Sequence, residues 1–291
     1  MQLRQARYMN EEHPTAEERP NPSLPTDGIE RLLPVDEHIE EELAASGHRV
    51  RRRGIFLLPN LLTTGALFAG FYSIISAING QFEAAAIAIF FAMVLDGLDG
   101  RVARAVHAQS AFGAEYDSLC DMVSFGVAPA LLAFTWGVSQ LGKVGLAAAF
   151  IYSACAALRL ARFNTQIAVA DKRYFTGLAS PAAAALLSAW VWSGYELFPA
   201  AAQVPRALAW LTALLTFMTG LAMVLRVRYH SFKQFDLGGR VPFVLLLVVV
   251  LAFFVIALYP ARMLLLGFAL YALSGPLITL WRRRKQQMSD S

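Results

Sequence analysis

Acidic residues are concentrated in one short, otherwise apolar stretch of the sequence. Beyond residue 48 only ten aspartates and glutamates occur, and five of these lie within 26 positions: Asp96, Asp99, Glu115, Asp117 and Asp121. The residues around them are as apolar as those of membrane-spanning helices, where a carboxylate is costly unless it is paired or bound to a metal ion. This stretch therefore predicts a functional site.

The spacing of four aspartates predicts that they meet. Asp96 and Asp99 are three positions apart, about 60° around a helix, and Asp117 and Asp121 are four apart, about 40°. Each pair therefore shares one face of its helix. Because only the short segment 105–111 joins the two helices, we expect them to be antiparallel neighbours whose four carboxylates converge on one point.

Such a carboxylate cluster requires cations. Four negative charges a few Å apart cannot all stay ionised unless cations neutralise them. Scattered ion pairs with Arg101 and Arg104 are the alternative, but two arginines cannot balance five acids. Ligand sets made only of oxygen select hard divalent ions such as Mg²⁺ or Mn²⁺. Two such ions about 4 Å apart are the usual machinery of phosphoryl-type transfer.

Small and basic residues beside the aspartates fit the same chemistry. Gly97, Gly100 and Gly113 let helix backbones approach closely in a bilayer and leave room for a bulky phosphorylated ligand. Arg104 supplies a planar cation suited to phosphate. The sequence around the aspartates therefore predicts a phosphate-handling site.

The composition predicts that membrane helices position these residues. Of 291 residues, 57% are hydrophobic and 16% are charged, against about 25% charged in soluble domains. This excludes an ordinary cytosolic enzyme, a disordered protein and a nucleic-acid-binding module. No strand-period alternation recurs as a barrel would require, so we expect an all-α polytopic membrane protein. About eight spans are expected, near residues 58–78, 82–104, 112–136, 143–162, 178–198, 206–225, 241–259 and 262–281.

The distribution of charge predicts a tail and an orientation. Residues 1–48 hold 11 of the 21 acidic residues and 4 of the 25 basic ones, and this proline-rich segment is expected to be a flexible acidic cytoplasmic tail. In the remainder, the loops on one side carry 18 lysines and arginines and those on the other side carry three. The positive-inside rule then predicts an even number of spans and both termini in the cytoplasm.

The aspartates belong to a longer pattern, Asp96-x-x-Asp99-Gly100-x-x-Ala103-Arg104, eight residues, then Gly113-x-x-x-Asp117-x-x-x-Asp121. It resembles the full signature of the CDP-alcohol phosphatidyltransferases. The resemblance implies a membrane enzyme that moves a phosphatidyl group from CDP-diacylglycerol to an alcohol and releases CMP. It implies that the four aspartates hold two divalent ions and that Asp121 is the general base. The other signature residues, Gly100, Ala103, Arg104 and Gly113, are implied to bind substrate.

Flanking segments resemble the phosphatidylserine synthase branch of this family, which implies L-serine as the alcohol. These segments are residues 59–64, 112–119, 124–129, 158–164 and 175–181. The resemblance implies that Asn60 and Thr63 lie near the nucleotide or phosphates, and that Arg162 and Asn164 meet the serine carboxylate or a lipid phosphate. A helix cap remains the alternative for Asn60, and a positive-inside anchor remains the alternative for Arg162.

The resemblance also implies how the chain is organised. Residues 49–235 would form the catalytic core, a six-helix bundle that is usually homodimeric, and residues 236–291 would add two helices and a basic C-terminus. We expect a bacterial cytoplasmic membrane, with the active site facing the cytoplasm. Two alternatives remain. A sister enzyme would use glycerol 3-phosphate, inositol phosphate or choline, and a cation transporter would spread its carboxylates across the bilayer.

Overall fold

The computed structural model describes residues 42–43, 49–50, 57–106, 110–166, 174–199, 204–225, 227–230, 251, 254 and 257–289. The chain divides into two units, Met1–Arg52 and Arg53–Ser291. In the first unit, strand β1 (Glu42–Leu43) pairs with strand β2 (Arg49–Val50) in antiparallel register. The expected tail 1–48 and the expected span 241–259 lie largely outside the described residues.

The second unit is built from helices, as expected. In chain order they are α1 (Leu57–Ile78), α2 (Phe82–Ala105), α3 (Ala111–Asp121), α4 (Ala128–Trp136), α5 (Lys143–Gln166), α6 (Ser180–Tyr195), α7 (Arg206–Val224) and α8 (Pro260–Ser289). A π-helical turn, Met122–Val127, joins α3 to α4. Two short strands, β3 (Tyr174–Thr176) and β4 (Arg228–His230), pair in antiparallel register. They connect the loop that precedes α6 to the loop that follows α7. The all-α fold is confirmed.

Five helical stretches of the described chain are long and apolar enough to cross a membrane: Leu58–Ile78, Phe112–Trp136, Lys143–Thr165, Arg206–Val224 and Pro260–Leu277. Large apolar side chains such as Phe68, Phe91 and Phe150 are exposed on the bundle, as lipid-facing residues are. Helices α2 and α6 occupy two further expected spans. Neither is among the five stretches, because α2 carries the charged residues of the site and α6 is only 16 residues long. The chain is a polytopic membrane protein.

Helices α1 and α2 form an antiparallel hairpin, which brings the first two aspartates beside α1. Gly80 in the connecting turn has a φ of 75°, a conformation that glycine adopts without a steric penalty. Small buried residues, including Ala66, Ala69, Ala85 and Ala92, lie in the core to which both helices contribute. Such residues let neighbouring helix backbones approach closely in a membrane.

The π-helical turn begins directly after the last aspartate and is held by α5. Pro129 follows in the first turn of α4 and has no N–H to donate to the carbonyl of Phe125. The Tyr152 hydroxyl donates to this carbonyl over 3.2 Å, and the Ser153 hydroxyl donates to the carbonyl of Gly126 over 3.0 Å. Side chains of α5 thus satisfy the backbone groups of the turn, which fixes α5 beside the end of α3.

Helices α6 and α8 complete the packing around the site. The N–H of Gly177 donates to the carbonyl of Val227 over 2.8 Å and extends the pairing of β3 with β4, which ties the start of α6 to the end of α7. At the far end of α6, Glu196 forms an ion pair with Arg262 of α8 at 3.3 Å. Helix α8 is therefore fixed along α6.

We expect Gly70→Ala to lower the melting temperature of the protein in detergent. A Cβ on Gly70 would lie 2.7 Å from Cα of Ser124 in the π-helical turn, so α1 and the turn would have to separate. Overpacking of this kind costs about 1–3 kcal/mol. Gly267→Ala is the matched control, because a Cβ there meets no atom within 4 Å. Equal melting temperatures for the two variants would contradict the close approach of α1 to the turn.

Candidate active site

Three aspartates lie together at one end of the helical bundle. Asp96, Asp99 and Asp117 each place one carboxylate oxygen within 4.8 Å of the others. The first two come from successive turns of α2 and the third comes from α3. Asp99 is 5% exposed, and the other two are half-buried. These oxygens form a ligand set of the kind that holds a hard divalent cation.

Asp121 joins the same cluster one turn further along α3. Its carboxyl group lies close enough to that of Asp96 to share a proton with it, and close enough to Asp117 for electrostatic repulsion. Two ionised carboxylates in contact repel each other, so they need a shared proton or a cation between them. The structure thus brings together all four aspartates whose spacing predicted convergence, and their chemistry fits bound divalent cations.

Thr63 of α1 orients one carboxylate of the cluster. Its hydroxyl donates to Oδ2 of Asp99 over 2.7 Å and also lies 3.1 Å from the carbonyl of Pro59. Both Thr63 and Asp99 are 5% exposed, so water does not compete strongly for this hydrogen bond. Thr63 therefore contacts the aspartate cluster itself.

Asn60 and Gly113 meet where α3 begins. Ser110 caps α3, because its hydroxyl oxygen accepts a hydrogen bond of 2.9 Å from the N–H of Gly113. A Cβ on Gly113 would lie 3.1 Å from that oxygen and 3.7 Å from Oδ1 of Asn60. The glycine thus lets the start of α3 lie against α1. The Tyr116 and Thr64 hydroxyls add a hydrogen bond of 2.8 Å between the same two helices.

Gly100, Ala103 and Arg104 form the last turns of α2 beyond the aspartates. Nη1 of Arg104 would lie 3.6 Å from a Cβ on Gly100, so the arginine lies alongside the glycine. Arg104 is exposed, and Ala103 is half-buried four residues after Asp99. The exposed guanidinium of Arg104 is a group of the kind that binds phosphate.

Arg162 and Asn164 contact residues outside the aspartate cluster. Nη1 of Arg162 donates to the carbonyl of Val224 at the end of α7, over 3.5 Å. Nδ2 of Asn164 donates to the hydroxyl oxygen of Ser118 over 3.0 Å and to Glu115 over 3.4 Å. Their contact with the acceptor alcohol stays a prediction.

Arg159 is a candidate that the motif did not include. It lies on α5 one turn deeper in the bundle than Arg162, and its Nη1 donates to the hydroxyl of Ser180 over 2.7 Å. The guanidinium is close enough to Asp121 and Asp96 for electrostatic attraction. The sequence held one signal: an arginine placed a turn further into an apolar span than a positive-inside anchor needs.

Known proteins resemble this chain over the region that holds the site. Residues 56–218 match the family model of the CDP-alcohol phosphatidyltransferases. The CDP-diacylglycerol–serine O-phosphatidyltransferase of Helicobacter pylori strain 26695 is 37% identical over 180 residues, which are 62% of this chain and 74% of that protein. The enzyme of the same name from Mycobacterium tuberculosis strain H37Rv is 46% identical over 143 residues, 46% of this chain and 49% of that protein. The one from Bacillus subtilis strain 168 is 38% identical over 109 residues, 38% of this chain and 62% of that protein.

We expect neutralisation of single aspartates to separate metal binding from folding. A cation that binds only the folded state stabilises it, so we expect Mg²⁺ or Mn²⁺ to raise the melting temperature of the wild type above its value in EDTA. Asp96→Asn, Asp99→Asn and Asp117→Asn should each lose this gain. In EDTA they should melt at the wild-type temperature or above it, because one repelling charge is gone.

The control for this experiment is Glu83→Gln, which removes an exposed carboxylate at the opposite end of α2. It should keep the full metal-dependent gain. A metal-dependent gain of wild-type size in the three aspartate variants would contradict their assignment as ligands.

Proposed function

Because the chain belongs to the CDP-alcohol phosphatidyltransferase family, we propose that it transfers the phosphatidyl group of CDP-diacylglycerol to the hydroxyl of L-serine, giving phosphatidylserine and CMP. The observation that carries this proposal is the convergence of four carboxylates at one end of a membrane-embedded helical bundle. The flanking segments and the relatives that act on CDP-diacylglycerol and serine support L-serine as the acceptor.

The four aspartates fit two divalent cations, Mg²⁺ or Mn²⁺. When bound, these ions would supply the positive charge that offsets charge on the phosphoryl oxygens and on departing CMP. Asp96, Asp99 and Asp117 would hold them, with Asp121 as a fourth ligand. Thr63 keeps the Asp99 carboxylate in one orientation through its 2.7 Å hydrogen bond.

The remaining residues of the motif would receive the donor. Gly100 and Ala103 leave space beside the cluster, and Arg104 presents an exposed guanidinium to the diphosphate. Asn60, which lies close to Gly113, would also contact the donor. The acyl chains would stay among the lipid, beside the exposed apolar surface of the bundle.

Asp121 would act as the general base. The serine hydroxyl is a weak acid and needs a base as it attacks. A new bond forms between the serine oxygen and the phosphorus that bears the diacylglycerol, and the bond from that phosphorus to the bridging oxygen of CMP breaks. The hydroxyl proton passes to Asp121, and CMP leaves with the electron pair of the broken bond. No covalent enzyme intermediate is needed, because the alcohol attacks directly.

We also propose the setting of the reaction. The excess of lysine and arginine on one side of the predicted spans supports a bacterial cytoplasmic membrane protein with both termini and the active site facing the cytoplasm. Serine and CMP would then enter and leave in the cytoplasm. Family resemblance supports a homodimer.

The direct test is an acceptor assay with the purified protein, CDP-diacylglycerol and Mg²⁺ or Mn²⁺. L-serine should release CMP and form phosphatidylserine, and EDTA should stop the reaction until divalent cation is added back. Glycerol 3-phosphate, inositol phosphate and choline should each support less than about a tenth of that rate, since hydrogen-bonded pockets discriminate strongly. Faster turnover with any of these three would reassign the chain to a sister activity.

A second test concerns the base. Asp121→Asn should lower the serine-dependent rate by about 10²–10⁴-fold, the usual contribution of general-base catalysis, or by more if a metal ligand is also weakened. Affinity for CDP-diacylglycerol should change far less. Glu83→Gln, which removes an exposed carboxylate at the opposite end of α2, is the control and should keep most of the rate. Wild-type turnover by Asp121→Asn would remove Asp121 from the mechanism.

A further inference from the structure

Arg159 occupies an unusual position for an arginine of a membrane helix. It is half-buried on α5, and it is held from one side by a hydrogen bond of 2.7 Å to Ser180, the fully buried first residue of α6. The start of α6 is itself fixed by the pairing of β3 with β4. The guanidinium is therefore anchored by the scaffold, whereas a surface arginine would extend into solvent.

The anchored guanidinium lies within range of electrostatic attraction to the aspartate cluster. Asp121 attracts it most strongly and Asp96 attracts it less. Yet among the described residues no carboxylate approaches Arg159 closely enough for an ion pair. An arginine that served only to neutralise the cluster would be most stable in direct contact with a carboxylate. A guanidinium that is held near the cluster by Ser180 is instead placed to bind an anionic group of a ligand.

The chemistry of L-serine fits the two groups at once. Serine carries its hydroxyl and its carboxylate on neighbouring carbon atoms, so a residue that binds the carboxylate has to lie a short distance from the base. A planar guanidinium forms paired hydrogen bonds with a planar carboxylate. We propose that Arg159 binds the carboxylate of L-serine while Asp121 receives the hydroxyl proton, which makes Arg159 a specificity-determining residue. This inference rests on the proposed function.

Helix α8 contributes to the surroundings of this arginine although it lies beyond the family match. Tyr271 on α8 is half-buried against the core and lies near Arg159. The ion pair of Glu196 with Arg262 and the ring contact of Phe268 with Phe90, 6.1 Å between centroids, hold α8 in register. The acceptor site of this chain is thus bordered by a helix outside residues 56–218.

The test compares L-serine with L-serinamide, which keeps the hydroxyl and the amine but carries a neutral amide in place of the carboxylate. We expect the wild type to prefer L-serine in kcat/KM by on the order of 100-fold, the usual effect of removing one partner of a desolvated, hydrogen-bonded charge pair. Arg159→Gln should lose most of this preference, through a higher KM for serine, while kcat/KM for serinamide stays within about threefold. Arg159→Lys, which keeps the charge but loses the planar fork, should restore part of the preference.

The controls separate this role from a general loss of structure or charge. Arg101→Gln removes an exposed guanidinium at the same end of the bundle and should keep the full preference for serine. Affinity for CDP-diacylglycerol should be the same in the Arg159 variants as in the wild type. A merely structural role would lower the rates with serine and serinamide together.

Two results would overturn the inference while leaving the proposed function intact. One is a wild type that uses serinamide as well as serine, which needs no variant and so does not depend on folding. The other is an Arg159→Gln protein that releases CMP with serine and keeps the wild-type preference over serinamide. Failure of the wild type to release CMP with L-serine would instead overturn the proposed function.

Discussion

Repulsion among four carboxylates at one end of a membrane-embedded bundle is the constraint on which the rest of the site depends. Three of their oxygens lie within 4.8 Å of one another, and the fourth aspartate contacts the first. Charges this close repel strongly where water is scarce, so the arrangement is stable only with bound cations or shared protons. A cluster that divalent cations would stabilise is also one in which those cations would stabilise charge on a transferring phosphoryl group.

The surrounding helices hold the carboxylates in place against this repulsion. Thr63 of α1 fixes one carboxylate, and the tight α1–α2 hairpin brings α1 within reach of it. The π-helical turn after Asp121 is secured by hydroxyl groups of α5, the same helix that carries Arg159. One helix thus supports the aspartate proposed as the base and presents the guanidinium proposed to bind the acceptor. The contacts that pack this bundle therefore also position the residues proposed to carry out the reaction.

The parts of the site that follow from local spacing could be predicted from the sequence. Helical periodicity alone placed Asp96 beside Asp99 and Asp117 beside Asp121, and the short connection between their helices predicted the convergence. The direction of Arg159 could not be predicted, because it depends on Ser180, which lies 21 residues away on a helix anchored by a strand pair. The π-helical turn could not be predicted either. Pro129 indicates a break in a helix, but it does not indicate which side chains of α5 donate to the carbonyls that the break leaves free. Long-range contacts between helices decide both.

The central claim, that the four aspartates bind divalent cations, is tested most directly by counting bound Mn²⁺ by electron paramagnetic resonance. The sample is the wild-type protein in detergent, saturated with CDP-diacylglycerol. We expect two Mn²⁺ ions per chain, displaced by Mg²⁺, and fewer when Asp117 is replaced by asparagine. A folded chain that binds the donor and holds no Mn²⁺ would contradict the claim.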